Sequence, residues 1–257
     1  VELTTDRFCD ALNSWLAQAK TKNNTGTLKL NEDGVGWIKA LLGELLENAE
    51  RHSDGDRRDG SWAISGFMAR REENDEFVYR IQVGIVSIGD TFSESLKRAT
   101  FKQKDRIEAY LSDMKKLGAK QSKSTLRTLA ALQDGVTCVQ EADEDGRGGY
   151  GLMEMLALSN LLGATAVQEK LPKITIISGA SCIMLNDPYT AGHITDGTTD
   201  GPRYQWCNSE NTAKSLPDDA NVFDLQTGLP GTVISIGLTL DTDYLKEVFD
   251  NGSQNDS

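Results

Sequence analysis

Glu44, Asn48 and His52 stand four residues apart in the run ELLENAERH, which sets all three along one side of a helix. Much later the chain carries Gly146-Arg147-Gly148-Gly149-Tyr150-Gly151-Leu152, a glycine cluster opening onto an apolar, helix-like run. Glycines allow positive φ and close backbone approach, and a helix start presents unpaired N–H groups, so such a loop can surround phosphate. A carboxylate can take a proton from water, and an amide oxygen is a hard, neutral ligand suited to magnesium. Acid, amide and phosphate cradle together describe a magnesium–nucleotide site.

The elements that would position these groups follow from periodicity. Ile38, Leu41, Leu42, Leu45, Leu46 and Ala49 form one apolar stripe, so residues 35–52 predict an amphipathic helix. Because each four-residue step overshoots a full turn by roughly 40°, Glu44, Asn48 and His52 make a slanting row on one flank of that stripe. Residues 5–20 predict another helix, 27–30 a short strand, and 61–71 with 76–88 a pair of strands joined by a polar turn. Residues 93–133 read as mostly helical, 152–162 as a helix ended by Gly163, and 173–185 as either a strand pair or one long bent strand. Residues 221–226 and 232–240 predict a hairpin across the Pro230-Gly231 turn. The stretch 187–219 is polar and reads as an irregular insertion, and the tail from 251 to 257 as disordered. With no repeat and no composition break, one domain over 1–250 is expected.

The 257 residues suffice for such a domain, and no stretch approaches the roughly 20 apolar residues of a membrane span. Cys9, Cys138, Cys182 and Cys207 are scattered without a CxxC pair, which reads as reduced thiols in a cytoplasmic protein. The net charge of −12 argues against a body that coats nucleic acid. Residues 97–127 nevertheless carry ten Lys/Arg against three acids, +7 in that segment and −19 elsewhere. That segment is either a solvated helix face or a surface that meets something anionic, nucleic acid included.

Acid–amide helix, strand pair, helical segment, glycine loop and closing strand come in an order that resembles the GHKL, or Bergerat-fold (histidine kinase-like), ATPase superfamily, which includes gyrase and sensor histidine kinases. The resemblance spans roughly residues 34–240. It implies an α/β two-layer sandwich, with a mixed, mainly antiparallel sheet, helices on one face, and a helical lid over 93–148. It also implies the cofactors ATP and Mg2+. Glu44 and Asn48 match the family's E-x-x-x-N helix, which makes Asn48 the magnesium ligand and Glu44 the general base for the attacking water. Gly149-Tyr150-Gly151-Leu152 matches the G-x-G-L phosphate loop, extended upstream by Gly148 and by Arg147, which either reaches a terminal phosphate or stays in solvent. Thr232, in Leu229-Pro230-Gly231-Thr232, matches the threonine that helps fix adenine. His52 fits the family's basic residue at the helix end, or serves as a plain partner of the helix dipole.

The second motif departs from the pattern. Aligning Val83-Gly-Ile-Val-Ser87-Ile-Gly89-Asp90-Thr91 with the family's D-x-G-x-G puts Ser87 at the base-reading Asp, keeps Gly89 and replaces the second glycine by Thr91. Losing a charged hydrogen bond costs about 1.5–3 kcal/mol. The expected activity is slow, magnesium-dependent ATP hydrolysis used as a conformational switch on a protein partner or an ATP-dependent homodimer. The alternatives are an ATP-sensing module without turnover, a protein kinase of histidine-kinase or anti-sigma type, and an adaptor whose basic segment grips an acidic partner or nucleic acid. Glu44 stands where histidine kinases usually carry Asn, which favours water as acceptor.

Overall fold

The computed structural model describes residues 1–18, 26–53, 61–73, 76–138, 149–163, 171–194 and 201–249. In chain order these form α1 (Glu2–Leu16), β1 (Gly26–Leu30), α2 (Glu32–Ser53), β2 (Ser61–Glu73), β3 (Glu76–Ile88), α3 (Phe92–Ser95), a 3-10 turn (Leu96–Arg98), α4 (Phe101–Lys116) and α5 (Lys123–Ala131). After them come α6 (Gly151–Leu162), β4 (Lys173–Ser178), β5 (Ser181–Leu185), β6 (His193–Ile194), β7 (Arg203–Tyr204), β8 (Val222–Asp224), β9 (Gly231–Leu240) and β10 (Leu245–Phe249).

Period-two alternation builds the main sheet. Tyr79, Ile81, Val83 and Ile85 of β3 are buried, as are Ile234, Ile236, Leu238 and Leu240 of β9. Register carries this apolar face across the strands: Ile85 lies opposite Ile234, Ile234 opposite Ile176, Ile176 opposite Ile183, and Ile183 opposite Val222. The strand order is β2-β3-β9-β4-β5-β8, and every described pairing is antiparallel, so the sheet is not the mixed one expected. The architecture is a six-stranded antiparallel sheet with helices packed on one face. The predicted hairpin between 221–226 and 232–240 does not form. β8 and β9 are both strands, but the β4–β5 hairpin inserts between them and takes their pairing edges. β1 pairs with β10, a strand that alternation alone did not reveal, in a separate two-stranded ribbon.

The α2 stripe behaves as its spacing predicts: Ile38, Leu41, Leu42, Leu45, Leu46 and Ala49 all enter the main core with α1, α6 and the sheet. Each large aliphatic side chain so buried contributes about 1.5–3 kcal/mol. α1 closes on the sheet because Gly66 of β2 leaves room for Phe8, whose ring lies 2.7 Å from where a Cβ would stand. Trp15 meets Tyr79 edge-on at 6.1 Å.

The helices between β3 and the glycine loop have a small core of their own, with Leu96, Ile107, Tyr110, Leu111, Met114 and Leu126. They dock on the β5–β8 edge through polar contacts. Asp224 accepts from Ser122 N, Ser122 Oγ and Thr125 Oγ1, and the buried Ser181 hydroxyl lies within hydrogen-bond distance of the Thr125 and Thr128 hydroxyls, at 3.0 and 3.3 Å. Lys120 and Gln121 meet Asp219 on the same edge. Several cations of the basic segment are thereby neutralised: Arg98 pairs with Asp90, Lys116 with Asp113 and Arg127 with Glu108. The described part of the insertion carries little regular structure yet is packed. Trp206 touches both cores and meets the Tyr110 ring at 4.8 Å with the planes tilted by 46°, while Gln205 and Gln133 exchange backbone-to-amide hydrogen bonds of 2.8 and 3.0 Å.

Cys9, Cys182 and Cys207 are buried thiols outside any disulfide, and burial pushes the Cys9 thiol up to about 11 and the Cys207 thiol up to about 12. No helix among the described residues is long and apolar enough to cross a membrane. The tail 251–257 lies outside the described residues.

Candidate functional site

α2 and α6 pack together inside the main core, and their approach is close because α6 begins with glycine. A Cβ on Gly151 would stand 2.7 Å from Glu44 Oε2, 3.2 Å from Asn48 Nδ2 and 3.7 Å from Asn48 Oδ1. The acid and the amide, one helical turn apart on α2, therefore both lie against the first residue of α6. Asn48 Nδ2 donates to the Glu44 carbonyl at 2.8 Å, the bond that sets the amide orientation and leaves Oδ1 as its outward acceptor.

Among the described residues, the α6 start offers the unpaired N–H groups that an anion site uses. Glu154 N is the first amide bonded back along the helix, to Tyr150 O at 2.9 Å. The N–H groups of residues 151–153 precede it and have no acceptor within the helix. Tyr150, at the N-cap, supplies no side-chain cap. Gly149 is required for a separate reason. Its φ is +82°, and a Cβ would run into the Val136 backbone, with Val136 N at 2.6 Å. Its carbonyl accepts from Gly135 N at 3.2 Å, which ties the loop exit to the segment following α5.

Beside Asn48 a cavity of about 10 Å³ reaches toward the sheet, with Asn48, Ser87 and Thr232 as its polar groups and Leu45, Ile85, Phe92 and Ile234 among its apolar ones. That space holds about one water molecule. Ser87 and Thr232 are direct cross-strand partners of β3 and β9, each 5% exposed. The Thr232 hydroxyl shares a 2.8 Å hydrogen bond with Ser178 Oγ, which also accepts from Phe92 N at 2.9 Å. Gly231 has φ of +148° and passes so close to the Ser87 carbonyl that no side chain fits. The Pro230-Gly231 turn thus holds the end of β3 against β9, and Gly89 N completes it by donating to Pro230 O at 3.2 Å.

Glu44, Asn48, Gly151, Ser87 and Thr232 are therefore brought to one place. Other expected groups fall elsewhere. Gly89 contributes to the turn rather than to the cavity, and Asp90 is drawn to Arg98 at 2.5 Å. Thr91, in place of the second glycine, caps α3: its hydroxyl accepts from Glu94 N while its own N–H donates to the Glu94 side chain. The Leu152 side chain belongs to the core, so only its backbone N–H is available at the loop, and Tyr150 is 40% exposed. Arg147 and Gly148, residues 139–148 of the expected lid and the His52 side chain lie outside the described residues.

Two contributors escaped the sequence reading. Ser178 is a fully buried hydroxyl in an apolar strand, noticeable only as a polar interruption of ITIIS. Arg203, within the insertion, bonds Glu154 on the first turn of α6 at 2.9 Å and the buried Asp134 at 2.9 Å, which braces the glycine-loop helix against the segment after α5. Nothing in its local sequence announces that contact. No group of three or more His, Cys, Asp or Glu among the described residues could hold a metal by itself, so a metal here would need Asn48 together with ligand oxygens. No protein-family model, curated protein or solved structure matches this chain.

Proposed function

We propose that the chain is a GHKL-type ATPase of Bergerat fold that binds magnesium ATP between α2 and α6 and hydrolyses it slowly as a conformational switch. The observation that carries this reading is the meeting of Glu44 and Asn48 with Gly151, while Asn48 also borders the cavity of Ser87 and Thr232. One amide thus stands between a phosphate-type helix start and a base-sized position on the sheet.

In this reading the N–H groups of residues 151–153 hold phosphate oxygens, and the positive end of α6 favours their charge. Asn48 Oδ1, oriented by its bond to the Glu44 carbonyl, is the hard oxygen for magnesium. Magnesium, when bound, draws charge off the phosphates and makes the terminal phosphorus more open to attack. Glu44 orients water and accepts its proton. Ser87 and Thr232 hydrogen-bond the base, directly or through water. The cavity of about 10 Å³ must widen to admit a base, and Phe92 is the wall contributed by α3, at the start of the helices between β3 and the glycine loop. Binding would therefore move α3 and, through it, the small helical core, a change that a protein partner or second copy can sense.

A second reading, ATP sensing without turnover, is favoured by one observation: the group at the base-reading position is Ser87, uncharged and shorter than aspartate. Phosphate release separates the two. Under the ATPase reading, wild type releases phosphate with magnesium ATP, Glu44→Gln binds ATP but loses release by about a hundredfold or more, and Asn48→Ala loses magnesium-dependent binding. Tight binding with no release by wild type selects the sensing module.

A further inference from the structure

We propose that the outer edge of β2, with the groove beside it, is a docking site for an extended acidic segment of a partner protein, which joins the sheet as an added strand. The inference is independent of the nucleotide reading. At the other edge of the sheet, β8 is covered by α5 through Ser122, Thr125 and Asp224. Among the described residues β2 pairs only with β3, and no strand lies on its outer side.

An outer edge presents a row of unpaired N–H and C=O groups, which proteins normally guard with charge, proline or a bulge. β2 has none of these over most of its length. Residues 61–69 carry no charged side chain and no proline, and the register with β3 runs unbroken from Ser61 opposite Ile88 to Glu73 opposite Glu76. A 13-residue strand with no such guard over 61–69, and with no partner on its outer side among the described residues, is built to be paired.

The adjoining groove states what the added strand should carry. On the sheet face away from the helices, a groove of about 270 Å³ is lined by Phe67, Gln82, Gly237 and Lys173, with Arg71 and Arg80. Phe67, Gln82, Gly237 and Lys173 lie opposite one another across four strands, so the glycine leaves a gap in the floor between Gln82 and Lys173, two strands in from the exposed Phe67 ring. Phe67 is 66% exposed. Three cations, Arg71, Arg80 and Lys173, line this groove, and Arg80 pairs with Glu73 at 2.9 Å, a local excess of positive charge in a chain of net charge −12. On a strand paired outside β2, the residue opposite Phe67 faces the groove, and so does the one four further on, opposite Arg71. The segment that fits is extended, apolar at the first of these positions and acidic at the second.

The test is fluorescence anisotropy on the whole chain with a labelled peptide of about 12 residues that alternates Val and Thr and carries Asp at the Arg71 register, beside the same peptide with Lys for Asp. The acidic peptide should bind, with affinity reduced about tenfold or more by Arg71→Glu and by Phe67→Ala and unchanged by Gly151→Ala. Amide exchange over residues 61–69 should slow when it binds. Equal binding of both peptides, or no binding below about 1 mM, overturns the proposal. So does slowed exchange at 61–69 on raising protein concentration alone, which assigns the edge to a second copy. Binding of oligo-deoxythymidine through Phe67 without peptide binding also overturns it, assigning the ring to base stacking.

Discussion

Replacing Gly151 by alanine separates the proposed site from the fold more cleanly than any other single change. The added methyl would stand 2.7 Å from Glu44 Oε2 and 3.2 Å from Asn48 Nδ2, both tips of side chains rather than backbone. Backbone is not at issue, since Gly151 opens a helix and has no positive φ. Alanine gains up to about 0.5–1 kcal/mol over glycine in helix propensity, and displacing two side-chain tips costs a similar amount, so net stability should stay within about 1 kcal/mol of wild type. The same displacement would shift Glu44, the proposed general base, and Asn48, the proposed magnesium ligand, by about 1 Å, a misplacement worth about a hundredfold in rate. Urea denaturation should therefore give nearly superimposable curves while magnesium-dependent phosphate release falls about a hundredfold. Gly149→Ala is the contrasting case: its methyl would run into Val136 backbone at a φ of +82°, so it should lower stability itself. If Gly151→Ala binds and turns over ATP as wild type does, Glu44 and Asn48 are merely neighbours of a helix end, and the reasoning fails.

Ser87→Asp should lower the melting temperature of the free protein by about 4–8 °C, because a carboxylate at a 5% exposed position costs about 2 kcal/mol, and ATP but not GTP should restore it. For Asp224, burial pushes the carboxyl up, but hydrogen bonds from Ser122 and Thr125 outweigh it and leave the group below its ordinary value. A depressed folded-state value means stability present above the unfolded value of about 3.9 and lost as pH falls through the folded one. The urea midpoint of wild type should thus exceed that of Asp224→Asn at pH 6, with the gap closing as pH drops below about 4; a gap independent of pH would contradict this. Iodoacetamide should modify half-exposed Cys138 first in the native protein. Cys9, Cys182 and Cys207 are buried with raised thiol values, and mass spectrometry showing early modification of any of them would refute that packing.

What was legible in the sequence was what depends on one element at a time. The α2 stripe predicts its own burial, and the β2–β3 hairpin is readable because two alternating runs flank a polar turn. Partner choice was not readable. Alternation shows that 221–226 and 232–240 hold strands, but two antiparallel strands near in sequence carry no mark saying that β4 and β5 will come between them. β10 stayed hidden because it pairs with β1 at the other end of the chain, where register rather than a strong local pattern defines it. At the site, Gly149 and Gly151 could be singled out as glycines, but not the different reasons for them, a backbone collision at one and two side chains of α2 at the other. Leu152 matched the phosphate-loop pattern by position, yet its side chain packs in the core, since a helix that offers its first N–H groups to a ligand still needs an apolar face to hold it. Ser178 and Arg203 act through contacts 54 and 49 residues away in the chain, beyond the reach of any local motif.

The account turns on whether the α2 amide and the α6 start share one ligand, and calorimetric titration of ATP with and without magnesium reads this directly. Wild type should bind ATP at least tenfold more tightly with magnesium, a difference of about 1.4 kcal/mol or more, and Asn48→Ala should lose that difference while keeping its fold. Equal magnesium dependence in the two proteins, or no ATP binding by either, would contradict the site.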